Sequence, residues 1–414
     1  MRPTVPAAPP RLAMPPRVAR RLEATNYPVT VRLPDGTTQS YGDEPRLEVV
    51  VHNAAGLKAI GSLDEMSIVD AYLAGDLDLL GDLVSGMDLR HLLRDTNYWT
   101  KAWAVIQPVL LGRRRLNPGW VAKHYDSQNI QVYGLDQDYQ VYTPGLYLSD
   151  GDSLEEGAER KLDFAFRALN LDTGRTVLDV GCGWGGFARY CARRGVDYTG
   201  ISLSRHQLEF ANGRLQAEGL NADLRYQDFF AYEPEREYDA ISLMGSIEEL
   251  ADYGEVFQRV NRWLKPGGLV YLDFAAVDRK FGVASFVTKY VWPGAFRMVH
   301  IPSFTAALTA IEFDIVDIRN DRRNYYLWAR GGYERWMSRR DEIREACDER
   351  AWRLIRLLWA GTAHLMSERS VWATAYRVVL ERRGAPAVDG MSARMFDRAG
   401  IDVPDRRPAS SIVD

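Results

Sequence analysis

The sequence predicts an α/β protein: a doubly wound, Rossmann-like parallel sheet, with a small α+β unit before it and helical additions after it. Three observations predict this. From Asp172 onward, short apolar runs rich in β-branched residues alternate with helical stretches, the pattern of a parallel sheet wrapped by helices. The first run, Thr176-Val-Leu-Asp-Val, leads directly into Gly181-Cys-Gly-Trp-Gly-Gly. Such a glycine turn lets a ligand approach the backbone at the carboxyl edge of a sheet. Before Thr96 the runs are short, alternating and punctuated by turn residues, which marks a separate unit.

Bulk properties narrow the function. A chain of 414 residues is long enough for two or three units and a large core. A net charge of −4 argues against nucleic acid as the main partner. Cys182, Cys191 and Cys347 are too few for a disulfide framework and form no metal pattern with histidine. The expectation is therefore a reducing, cytoplasmic setting with no metal. No apolar run reaches the length of a membrane span, and Met1 to Pro16 lacks the apolar core of a secretory signal.

Taken in order, residues 1–19 are expected to be a disordered lead. Residues 17–24, Arg-Val-Ala-Arg-Arg-Leu-Glu-Ala, read as a short basic amphipathic helix. Val29 to Leu33 and Thr37 to Tyr41 read as strands around Pro34-Asp-Gly. Leu47 to His52 is a further strand, and Ser67 to Leu73 a helix ending at Gly75. Residues 20–95 thus make the α+β unit, and 96–120 a linker. That linker runs from apolar, Trp103-Ala-Val-Ile-Gln-Pro-Val-Leu-Leu, to basic, Gly112-Arg-Arg-Arg. Its two readings are a segment dipping into a lipid interface and a packed interdomain helix.

Residues 121–383 form the main domain, with strands at Thr176–Val180, Asp197–Ile201, Leu224–Gln227, Tyr238–Met244 and Gly268–Phe274. Leu264-Lys-Pro-Gly-Gly stops a helix before the last of these. After residue 330 long helical stretches run to Arg383, and 384–414 read as a flexible tail. The glycine turn follows Gly181-x-Gly183-x-Gly185 rather than the dinucleotide spacing. With Asp179 at the strand end, it suits a nucleoside carrying a charged amino-acid tail, S-adenosylmethionine.

Several further stretches carry a family resemblance. His124-Tyr-Asp with Asn129, Ser153-Leu-Glu-Glu-Gly with Lys161-Leu-Asp, Val177 to Tyr190, Gly200-Ile-Ser-Leu-Ser with Gln207, and Lys289-Tyr-Val-Trp-Pro-Gly all match it. Together they resemble the cyclopropane-fatty-acyl-phospholipid synthases and the related mycolic-acid methyltransferases. The N-terminal unit resembles the accessory lipid-associated domain of the bacterial synthases, and the likeness spans about residues 28–383.

The resemblance implies an S-adenosylmethionine-dependent methyltransferase acting on a lipid or fatty-acyl substrate. Peripheral contact with the inner membrane face and a homodimer are further expectations. It implies cofactor contacts from Tyr142, Thr143, Asp179, Gly181, Gly183, Gly185, Ser202, Leu203, Gln207, Gln227, Asp228 and Gly245. It also implies catalytic roles for Glu248 and Tyr325, with Asp273 at the position of a family histidine.

The departures concern the proton acceptor, which in that family is a bound bicarbonate. Pro144 stands at the family's cysteine, Ala275 at its isoleucine and Glu249 at the histidine after the glutamate. Glu248, Glu249 and Asp273 together would repel an anion unless protonated or met by cations. The bicarbonate site is therefore expected to be lost or rebuilt, leaving Glu248 or Asp273 to take the proton. Phe296, Arg297 and Met298 are candidates to shape the substrate mouth, with His300 a spare base. The alternatives are a specialised-metabolite C-methyltransferase, an enzyme making methyl branches without ring closure, and a non-catalytic binding protein.

Overall fold

The computed structural model describes residues 13–112, 119, 129–250, 252–278, 285–291, 297–311 and 313–383. The expectations for Met1 to Leu12, the arginines 113–115, His124-Tyr-Asp, Trp292 to Phe296 and the 384–414 tail lie outside the described residues.

The N-terminal unit is a four-stranded sheet with helices on it. Helix α1 (Pro16–Thr25) turns Val18 and Leu22 into the core, so the helix begins inside the stretch expected as a disordered lead. Strands β1 (Val29–Arg32) and β2 (Thr38–Tyr41) pair antiparallel around a turn in which Gly36 N–H donates to Leu33 O at 2.9 Å. Strand β3 (Leu47–Val51) lies parallel to β1. Helices α2 (Ala54–Ser62) and α3 (Glu65–Ala74) then start on the side-chain caps Asn53 and Asp64. Strand β4 (Leu77–Gly81) closes the order β2-β1-β3-β4. Of these elements, α2 and β4 escaped the sequence reading. An apolar cavity of about 180 Å³ lies under this sheet, lined among others by Val29, Val31, Leu47, Ile68, Phe286 and Leu357.

After helix α4 (Leu83–Gly86) and a 3₁₀ turn at Met87–Leu92, helix α5 (Tyr98–Leu111) occupies the linker. Tyr98, Trp99, Trp103, Ile106 and Leu110 on α5 are all exposed, Trp99 at 88%. At about 100° per residue these five fall within one arc of roughly 140°, a single apolar face.

The main sheet opens from helix α6 (Leu154–Ala168), whose first turn is locked by a reciprocal cap between Ser153 and Glu156. Strand β5 (Thr176–Val180), helix α7 (Gly186–Ala192), strand β6 (Asp197–Ser202), helix α8 (Arg205–Ala217) and strand β7 (Asp223–Tyr226) form one half. Strand β8 (Tyr238–Met244), helix α9 (Tyr253–Trp263) and strand β9 (Leu264–Val277) start the other. Short β10 (Val299–His300) pairs with β9, and helix α10 (Ile301–Thr309) leads to strand β11 (Phe313–Asn320). Helices α11 (Arg322–Ser338), α12 (Arg340–Ala346) and α13 (Glu349–Met366) precede strand β12 (Thr374–Arg382).

The sheet order is β11-β12-β9-β8-β5-β6-β7. Strands β9, β8, β5, β6 and β7 run parallel, whereas β12 lies antiparallel to both β9 and β11. This corrects the expectation that helical stretches run to Arg383. Residues 374–382 are a strand with Val378, Val379 and Leu380 fully buried. Their register with β9 is a long-range contact that local periodicity does not reveal. Helix α13 bridges the two sheets: Arg353 donates to Tyr72 O at 2.8 Å and Leu77 O at 3.1 Å, and Arg356 donates to Leu79 O at 2.8 Å.

Candidate active site

The carboxyl ends of β5 to β8 surround a cavity of about 130 Å³, at the point where the strand order reverses. Its floor is the glycine turn. Gly181 and Cys182 both donate backbone N–H groups to Ile201 O, at 2.9 and 3.1 Å, tying the turn to β6. Gly181 sits at φ +84°, and a Cβ there would lie 2.7 Å from Ser246 Cβ. Both the conformation and the crowding therefore demand glycine.

Eleven of the twelve residues named for the cofactor line this cavity; Gly185 does not. Gly185 instead caps α7 in the left-handed conformation, where a Cβ would meet Ala211 Cβ at 2.6 Å. Its role is close helix packing. Two further members turn their carboxylates toward protein donors. Asp179 accepts from Tyr198 Oη and, at 2.6 Å, from Ser242 Oγ, and burial raises its pKa to about 6. Asp228 Oδ1 accepts from the backbone of Phe230 at 2.8 Å and Ala231 at 3.2 Å, which fixes the loop after β7. Ser202 Oγ accepts from Ser204 N–H at 3.2 Å, and Ser204 caps α8 through Gln207 N–H.

Behind this cavity lies a second layer, reached through Thr143 and Gly245. Lys161, on α6, is buried to 1% exposure. Its ammonium donates to Thr143 Oγ1 and stands 2.8 Å from Asp273 Oδ2 on β9. Gly245 N–H donates to Asp273 O at 2.9 Å. A cation thus meets Asp273, which answers the condition set by the cluster of carboxylates. Lys161 escaped the sequence reading as a site residue because it was seen only as part of a helix motif. Its partners come from separate segments.

Glu248 stands beside this pair in a 3₁₀ turn after β8, with 4% exposure. Its Oε1 accepts from Ala275 N–H at 2.9 Å, while Oε2 is buried with no hydrogen-bond partner among the described residues. Burial first, and then the charges of Asp273 and Glu249, push its pKa up to about 8. Burial and the nearby Glu248 charge also hold the Tyr325 phenol above its usual range. Trp328, unmarked by the sequence, packs edge-on against both Tyr325 and Tyr142, with ring centroids 5.5 and 5.9 Å away. Glu249 lines the cofactor cavity instead. His300 is engaged with Ser303, its Nδ1 lying 2.8 Å from Ser303 Oγ as the cap of α10.

Comparison with known proteins adds an independent result. The family profile described as "Mycolic acid cyclopropane synthetase" matches residues 114–373. A probable fatty acid methyltransferase of Pseudomonas putida is 26% identical, covering 89% of this chain and 95% of its own. A sphingolipid C9-methyltransferase of Komagataella phaffii is 24% identical, covering 80% of this chain and 71% of its own. Among solved structures, the mycolic acid cyclopropane synthase CmaA1 with SAH and CTAB superposes with a TM-score of 0.58 at 19% identity, over 64% of this chain and 98% of that one.

The Glu248 environment has a direct consequence for stability. Below about pH 4.5 the carboxyl is protonated in both folded and unfolded chains, and above about pH 8 it is ionised in both. Between these limits the unfolded chain binds fewer protons, so stability falls as pH rises. Glu248→Gln removes the titration. Urea denaturation should show the variant gaining on the wild type from about pH 5 to about pH 9. A stability difference independent of pH across that range would show that Glu248 is already ionised when folded.

Proposed function

The chain belongs to the mycolic acid cyclopropane synthetase family and is an S-adenosylmethionine-dependent methyltransferase, and from that premise we propose that it methylates an unsaturated carbon of a fatty-acyl lipid. The observation that carries this reading is the buried Glu248 Oε2, without a hydrogen-bond partner among the described residues, near Tyr325 and behind the cofactor cavity.

The cavity fits the cofactor. Its positive-φ glycine Gly181 allows close backbone approach for the amino-acid end, with Tyr142 and Thr143 closing over it. Ser202, Leu203, Gln207, Gln227 and Asp228 also line the cavity, and by the family resemblance the first three would hold the ribose side and the last two the adenine side. Asp179 is tied to Tyr198 on β6 and Ser242 on β8. Bound S-adenosylmethionine supplies an electrophilic methyl group.

The chain's own groups do the rest. An alkene that gains a methyl group becomes cationic at the neighbouring carbon, and the packed rings of Tyr142, Tyr325 and Trp328 would stabilise that charge. Positive charge brought near Glu248 on cofactor binding would favour its ionised form, its own proton passing to solvent, so that Oε2 is free to take the proton that the methylated, cationic acceptor loses. The Ala275 N–H orients the carboxylate through Oε1. Asp273 is held nearby by its ion pair with Lys161.

A bicarbonate ion does not fit this arrangement. Pro144 has no N–H to offer, the Ala275 N–H is already used by Glu248, and Asp273 puts a carboxylate where the family resemblance expects a histidine. Proton removal by Glu248 admits a methyl-branched or methylene product as well as a ring. The likeness to a protein named sphingolipid C9-methyltransferase favours the branched outcome as the second reading.

Expression in a bacterial host, followed by mass spectrometry of its acyl chains, tests the activity. The expected product is heavier by one methylene unit, and Glu248→Gln should abolish it while cofactor binding persists. Unchanged product from that variant would remove Glu248 from the mechanism.

The apolar face of α5 gives the enzyme a means of reaching such a substrate. Trp99, Trp103 and Leu110 project into solvent, and Gly112-Arg-Arg-Arg follows in sequence. This combination suits an anionic lipid surface, since aromatics enter the interface while arginines meet phosphates. In sedimentation with vesicles containing phosphatidylglycerol, Trp99→Ser combined with Trp103→Ser should weaken binding by about tenfold or more. Equal binding by the double variant would assign membrane contact to another surface.

A further inference from the structure

A cluster far from the cofactor cavity joins the N-terminal unit to helix α13. Asp88 and His91 stand three residues apart in the 3₁₀ turn Met87–Leu92, where positions i and i+3 eclipse each other on one edge. His364, in the last turn of α13, meets them from the other side. One ligand atom from each of the three residues lies within 4.8 Å of the others.

Two details separate this cluster from an ordinary ion pair. His364 is buried to 9% exposure, and its imidazole makes no hydrogen bond among the described residues. Its Nδ1 lies 3.6 Å from Asp88 Oδ1, beyond hydrogen-bonding range. That spacing is close to the edge of a tetrahedral ligand shell, about 3.4 Å for metal–ligand bonds of about 2.0–2.1 Å. The other carboxylate oxygen, Asp88 Oδ2, receives Arg369 Nη1 at 2.5 Å. This outer contact orients the carboxylate and leaves Oδ1 facing His364. The neighbouring Arg90 has its charge met by Glu65 at 2.8 Å.

We propose that Asp88 Oδ1, His91 and His364 Nδ1 bind a zinc-like divalent transition-metal ion that staples the 3₁₀ turn of the N-terminal unit to the C-terminal end of α13. Two imidazoles and one carboxylate select such an ion over magnesium, which prefers oxygen ligands. Exposed His91 completes the shell by a side-chain rotation, and solvent occupies the fourth position. The site is structural, because none of its residues lines the cofactor cavity.

The test is zinc chloride titration of chelator-treated full-length protein, by calorimetry and thermal melting. Binding of one equivalent with a raised melting midpoint is expected, and magnesium chloride at the same concentration should leave the midpoint unchanged. His91→Ala, at an exposed position that tolerates substitution, and His364→Gln should each weaken zinc binding by about tenfold or more. Absence of a one-equivalent site in the wild type, unchanged affinity in His91→Ala, or an equal response to magnesium would overturn the proposal.

Discussion

The ion pair between Lys161 and Asp273 is the constraint on which the site depends. Burying an ammonium and a carboxylate is costly unless each has the other. Here the ammonium also donates to Thr143 Oγ1, whereas the Asp273 carboxylate has the ammonium beside it and no hydrogen-bond partner among the described residues, so the pair depends on Lys161. The buried pair ties α6, the Tyr142-Thr143 segment and β9 together, and the backbone bond from Gly245 N–H to Asp273 O adds the end of β8 to the same wall. That wall is also the back of the cofactor cavity, so the electrostatics of the inner layer and the shape of the outer one are set together.

With Lys161 committed to Asp273, Glu248 has no cation paired to it among the described residues. It receives one backbone N–H and sits in a dry compartment, which is why its proton is held to about pH 8. The surroundings of the two neighbouring carboxyl groups thus differ: Asp273 has the Lys161 ammonium beside it, and Glu248 a single backbone N–H. The Tyr325, Tyr142 and Trp328 rings complete a compartment that is aromatic on one side and anionic on the other. Such a compartment suits cationic charge on a hydrocarbon.

The legibility of this protein in its sequence follows the range of the interactions. The glycine turn was readable because a buried strand, its positive-φ glycines and the next helix are contiguous. The Pro34-Asp-Gly hairpin was readable for the same reason. Strand β12 was not: the run Thr374 to Arg382 looks like more of the Arg- and Leu-rich stretch before it, and only pairing with β9 makes it a strand. Lys161 reads as one charge on an amphipathic helix until β9 brings Asp273 to it. His364 lies in a helix whose neighbours Ala363 and Met366 are core residues, and only the fold brings it to Asp88. Resemblance supplied the position of Glu248, but not the bond to Ala275 N–H that consumes a donor of the family's anion site.

The central claim is that Glu248 carries a proton at neutral pH in the cofactor-free enzyme. Infrared difference spectroscopy between neutral and alkaline pH, on wild type and Glu248→Gln, measures it directly. The account predicts a protonated-carboxyl band in the wild type that disappears with a midpoint near pH 8 and is missing from the variant. Identical difference spectra for the two proteins would contradict it.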